Sequence, residues 1–92
     1  MKITVVKRDK KKEPYDPEKI TRVVKAAGLS AKDARLLSRK ITDWLIAKKV
    51  ANITSLKLRN RVELELKKVD KNAANAMIAY EEYKDKYYKT NF

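Results

Sequence analysis

Four runs of apolar residues at helical spacing, each opened by a residue suited to cap a helix, divide the chain from residue 16 onward. Asp16-Pro17-Glu18 is the strongest start. Asp16 can cap, Pro17 suits the first helical position, and Glu18 complements the positive helix end. Ile20, Val23, Val24 and Ala27 then mark one face, and Gly28, the only glycine in the chain, is placed to end the helix. Ser30 opens a second run with Asp33 as its capping-box partner, and Ala34, Leu37, Ile41, Trp44 and Leu45 keep the spacing until it lapses near Lys48. Thr54 or Ser55 caps a third, with Leu58, Val62, Leu66 and Val69 as its stripe; Leu64 falls off that stripe, which predicts that a second side is buried. Asp70 or Asn72 starts a fourth, through Ala73, Ala76, Met77 and Tyr80 toward Tyr83 and Tyr87, with fraying expected at the end. The spacing predicts helices over about 17–27, 31–48, 55–69 and 71–87.

The remaining segments read as strands. Residues 2–15 form a hairpin pattern: β-branched Ile3 to Val6, a charged turn at 9–12, and a second arm that Pro14 confines to an edge or to its own end. Val50 to Ile53 reads as a short third strand. The order is hairpin, two helices, strand, two helices. It contains no repeat or long linker, and it is expected to form one domain over 1–92.

Composition excludes several classes of chemistry. The 92 residues include no cysteine and no histidine. Disulfides, Cys/His zinc sites and Cys- or His-based catalysis are therefore ruled out. One glycine is too few for a phosphate-cradling Walker loop, and no cluster of catalytic groups stands out, so no enzyme is expected. MKITVVKRDKKK does not read as a signal peptide, and no segment approaches the ~20 apolar residues of a membrane span. With no cysteine, a cytoplasmic location is expected. The formal charge of +12 favours an anionic partner, with phosphate on a nucleotide, nucleic acid or lipid the obvious group, although a lysine-rich surface also serves solubility.

Two segments can carry phosphate chemistry. On a strand, Val5 and Lys7 share a face and Arg8 takes the other unless a turn redirects it; the two cations suit a polyphosphate, or equally a solvated edge strand. Lys19 sits in the first turn of the first helix, useful if a phosphate lies near that terminus, while Ile20 also suits plain core.

In order, Val5-x-Lys7-Arg8-Asp9, Glu13-Pro14-Tyr15-Asp16 and Glu18-Lys19-Ile20 resemble the opening of ATP-cone domains, whose usual pattern runs V-x-K-R-D-G, E-P-F-D and then K-I. Ile53-Thr54-Ser55 at a helix start, and Met77-Ile78-Ala79-Tyr80 with Lys84 four residues beyond, extend the resemblance over about residues 2–86. It implies an α+β fold, a small three-stranded β-sheet capping a four-helix bundle. It implies a stand-alone regulatory module that binds ATP or dATP, with or without Mg2+. Such a module senses nucleotide without hydrolysing it and alters its own oligomeric state or a partner's activity. The implied partners are a ribonucleotide reductase or another regulated protein, and further copies in a homo-oligomer.

By the same resemblance Val5, Lys7 and Arg8 belong to the nucleotide-binding motif, the two cations on phosphates. Glu13 and Asp16 lie near the adenine, with Lys19 and Ile20 lining the pocket beside it. Ser55 stands at a phosphate-contacting helix start, and Arg59 and Lys84 match basic phosphate positions. Two residues depart from the pattern. Lys10 replaces the glycine of the turn, so the loop is expected to be wider or of another type, displacing Lys7 and Arg8; Glu81 stands where the family often has arginine. Weakened or lost binding, leaving an interaction domain, is thus one alternative. A nucleic-acid-binding module using Tyr80, Tyr83, Lys84, Lys86, Tyr87, Tyr88 and Lys89 is the other, less favoured because Tyr80, Tyr83 and Tyr87 fit one helix face and suit core packing.

Overall fold

The computed structural model describes residues 2–87, and side chains through residue 82. Its elements run β1 (Thr4–Val6), β2 (Lys12–Pro14), α1 (Pro17–Ala26), α2 (Ala31–Ala47), β3 (Asn52–Thr54), α3 (Ser55–Val69) and α4 (Lys71–Tyr87). This is the expected α+β architecture, a three-stranded mixed sheet with four helices. The third strand lies slightly later than the apolar run at 50–53 places it.

The sheet order is β2-β1-β3. β1 pairs antiparallel with β2, placing Val5 opposite Glu13, and parallel with β3, placing Val5 opposite Ile53. Parallel neighbours need a crossover, which α1 and α2 provide. Pro14 ends an edge strand, where its missing N–H costs no ladder bond.

Each helix begins on its expected kind of cap. Asp16 accepts the Glu18 N–H, Ser30 the Asp33 N–H, and Thr54, not Ser55, the Lys57 N–H. Asp70 accepts from both Asn72 and Ala73, so a single residue separates α3 from α4. At the end of α1 the Leu29 N–H bonds back to the Val24 carbonyl and the Gly28 N–H to that of Lys25, a turn that needs the positive φ of Gly28. The end of α2 repeats these bonds from Val50 to Leu45 and from Lys49 to Ile46, with Lys49 at φ 54° in the glycine position.

The hairpin turn uses the left-handed region in the same way, and its loop is wider than a tight Asp-Gly turn, as expected. Lys10 takes φ 69° itself. Its N–H bonds to the Lys7 carbonyl, and the Lys7 N–H bonds to the Lys11 carbonyl, giving a three-residue loop with its third residue left-handed. The Asp9 carboxylate secures it by accepting the Lys11 N–H at 3.0 Å. The turn takes Arg8 off the strand, while Lys7 stays at its end.

The core joins Val5 and Ile53 of the sheet to Ile20 and Val24 of α1, Leu37, Ile41 and Leu45 of α2, Leu58, Val62 and Leu66 of α3, and Met77 of α4. α1 packs along α2 and α3 along α4, while α1 and α4 touch only briefly. Four apolar expectations are corrected. Leu64 is 46% exposed, being about 200° round the helix from Val62; the extra buried residue on α3 is Glu65. Val69 lies on the stripe by spacing but is the last residue before the reversal, and is exposed. Tyr80 is 57% exposed and lines an open groove between α1 and α4 with Arg22, Val23, Ala26 and Ala76. Tyr83 and Tyr87 carry side chains outside the described set, and Ala76 is exposed where Ala74 is buried.

Lys10→Gly is expected to stabilise the fold. A left-handed residue with a Cβ costs about 1 kcal/mol, and glycine's greater freedom in the unfolded chain returns part of the gain. Thermal melting followed by circular dichroism should show Tm rising by a few degrees, on the order of 4 °C per 1 kcal/mol for a domain this size. An unchanged or lower Tm would show that Lys10 is not strained.

Candidate functional site

The sheet register builds the first half of the site. Residues paired across neighbouring strands share a face, and alternate residues of one strand do likewise. Val5 opposite Glu13, and Lys7 two residues on from Val5, thus bring an apolar side chain, a carboxylate and an ammonium to the face that meets the helices. The Lys7 ammonium lies 3.1 Å from Glu13 Oε2.

α1 supplies the second half. Asp16 caps it, Lys19 stands one turn in and Ile20 is buried. Lys19 Nζ donates to Glu13 Oε1 at 3.0 Å, so Glu13 bridges the hairpin to the helix and two ammonium groups share one carboxylate. Burial pushes the Glu13 carboxyl up, but hydrogen bonds from Lys19 and Lys7, with their charges, outweigh it and hold the group below its ordinary value.

Val5, Glu13, Asp16, Lys19 and Ile20 line one cleft together with Pro14, Tyr15 and Leu58. Its volume is about 10 Å³, room for roughly one water. The sequence places Leu58 on the α3 stripe and Tyr15 in the hairpin motif, but neither among the nucleotide-binding residues. Tyr15 fills the aromatic position of the E-P-F-D motif, which could have marked it. Its hydroxyl shares a 2.8 Å hydrogen bond with Thr42, and burial, opposed by that bond, raises its pKa. Nearby, Ser38 of α2 donates to the Pro17 carbonyl at 2.8 Å, so α2 fixes both the hairpin's last residue and the start of α1.

The other expected residues are placed differently. Arg8 is exposed at the turn. Ser55 is buried as the first residue of α3, leaving the cap to Thr54. Arg59, with 15% of its side chain exposed, lies 3.9 Å from Glu63 and 3.6 Å from Glu81, whose side chain is 4% exposed. Glu81, the departure noted in the sequence, thus directs the Arg59 charge into the α3–α4 interface. Burial raises the Glu63 pKa, Arg59 lowers it, and Glu81 and Glu82 raise it further. Lys84 lies on α4, but its side chain is outside the described residues. Among the described residues no three acidic, cysteine or histidine side chains group to hold a metal ion, and no helix is long and apolar enough to cross a membrane.

A cation-bearing hairpin latched onto the capped start of a helix, on a scaffold of four helices, describes a small α+β binding module whose chemistry suits a phosphorylated ligand. The family model of the ATP cone domain matches residues 3–86, nearly the whole length, and the chain belongs to the ATP-cone family. A comparison with curated proteins found no match. ATP-cones are regulatory, nucleotide-binding domains rather than catalytic ones.

The Glu13 bridge has a pH signature. A carboxyl whose folded pKa is depressed contributes stability that is complete above its unfolded value, about 4.3, and is lost as pH falls through the folded value. Glu13→Gln should therefore be less stable than the parent at neutral pH, with the difference shrinking below about pH 4. Urea unfolding of both proteins across pH 2.5–7 checks this. A difference independent of pH would remove the ionic bridge as its cause.

Proposed function

We propose that this chain is an adenine-nucleotide sensor that binds ATP or dATP between the hairpin and the start of α1 and catalyses nothing itself. One observation carries this reading: Val5 of β1, Glu13 of β2, the α1 cap Asp16, and Lys19 and Ile20 of α1 line a single cleft, with Lys7 beside Glu13 at its edge. In this reading Val5 and Ile20 give the base an apolar contact, and the Glu13 and Asp16 carboxylates accept from the adenine amino group. Lys7, Arg8 and Lys19 take the phosphates, charge against charge. Any Mg2+ would enter with the triphosphate.

A cleft of about 10 Å³ has to open for a nucleotide. Opening requires Lys7 and Lys19 to exchange Glu13 for phosphate oxygens, so binding loosens the latch between hairpin and helix. That exchange couples ligand to shape. A change in oligomeric state, or in the activity of a ribonucleotide reductase or another regulated partner, is the output such a domain would give. Arg59, engaged by Glu81, stands outside the primary phosphate set, as does Ser55, buried at the start of α3.

ATP or dATP at 100 times its Kd should stabilise the fold by about 2.7 kcal/mol, read as a rise in Tm. Lys7→Ala and Lys19→Ala should each weaken binding about tenfold or more, as expected for a lost charge-assisted bond of about 1.5–3 kcal/mol. Light scattering after size exclusion, with and without nucleotide, reads the assembly. No shift by millimolar ATP or dATP would refute the proposal.

A further inference from the structure

A second opening lies on another side of the molecule. Trp44 and Lys48 near the end of α2, Val50, the β3 residues Asn52 to Thr54, Val6 of β1, and Lys57 in the first turn of α3 line a shallow, open groove of about 430 Å³, far more than the cleft beneath the hairpin. The volume is in the range that holds a base with its sugar and phosphate. Its described lining carries two lysines and no carboxylate, in contrast to the hairpin cleft with Glu13 and Asp16.

Trp44 is held as a platform. The Arg61 guanidinium lies over its ring, 4.7 Å from the centroid. Arg61 is fixed in turn by Glu65 at 3.2 Å, and Glu65 is nearly buried. Arg61 covers one face of the indole and Trp44 also packs against the core, so the part that lines the groove is what a flat ring meets, on a side chain that loses little freedom on binding. Asn52 and Thr54 add hydrogen-bonding side chains on a strand at the sheet edge.

We propose that this groove binds single-stranded nucleic acid, with a base stacked on Trp44 and flanking phosphates on Lys48 and Lys57. An aromatic platform flanked by lysines is the chemistry that holds a single strand without reading its sequence. The net charge of +12 exceeds what one triphosphate neutralises and favours a polyanion. The ligand and the surface are both distinct from those of the hairpin cleft, so this inference stands apart from the sensor reading.

Trp44 is the only tryptophan, which makes its fluorescence a direct probe of the groove. The intact chain would be titrated with a twelve-nucleotide oligothymidine, reading Trp44 quenching and the anisotropy of a labelled strand over a salt series. Saturable quenching that weakens with salt is expected. Trp44→Leu should lose about tenfold in affinity. Lys48→Gln combined with Lys57→Gln should weaken binding and make the log–log salt slope shallower by about 1.4, from roughly 0.7 per phosphate contact. Both lysines are exposed, so this variant carries the test even if Trp44→Leu fails to fold. It should leave the Tm shift with ATP unchanged, which separates a failure here from a failure of the nucleotide reading. Three results would overturn the proposal: no quenching at low salt, binding that the lysine variant leaves unaltered, or an equally tight duplex of the same length. ATP displacing the oligonucleotide, with the lysine variant losing both, would assign the groove to free nucleotide and overturn it as well.

Discussion

β1 has three residues and two neighbours, and the arrangement of the whole molecule depends on that double pairing. Its antiparallel side sets Glu13 opposite Val5; its parallel side sets Ile53 opposite Val5. Val5 is therefore buried between two partners and becomes the point where sheet and helices meet. The parallel pairing demands the α1–α2 crossover and delivers the chain to β3 with α3 immediately after it. The antiparallel pairing turns Glu13 toward α1, where it meets Lys19. Shifting the register by one residue would send Val5, Lys7 and Glu13 to the other face and dismantle both core and cleft.

Charge is distributed unevenly around this frame. Lys7, Arg8, Lys10, Lys11 and Lys12 crowd the hairpin, where Asp9 is committed to the turn and Glu13 to two lysines. Within the α3–α4 interface the balance reverses, with Glu63 and Glu81 about Arg59. The hairpin thus offers cations to an anion, while the helix interface keeps its own cation. Both lysines at left-handed positions, Lys10 and Lys49, serve turns that one glycine could not cover alone, and both add positive charge where a glycine would add none.

The sequence by itself determined the type and order of the elements. Caps, proline and glycine act within a few residues, and helical spacing records which face is apolar, so Asp16, Ser30 and Gly28 announced their roles directly. The resemblance of Val5 to Asp9, Glu13 to Asp16 and Glu18 to Ile20 also named residues that the fold brings to one cleft. Tertiary structure decided what depends on neighbours distant along the chain. Whether Tyr80 is covered depends on how closely α1 approaches α4. Whether Arg59 faces a ligand or a carboxylate depends on Glu81 across a helix interface. The turn at Lys10 was settled by hydrogen bonds among Lys7, Asp9 and Lys11 that outweigh the residue's own preference. Periodicity and propensity are local signals, whereas burial and charge pairing are properties of the packed whole.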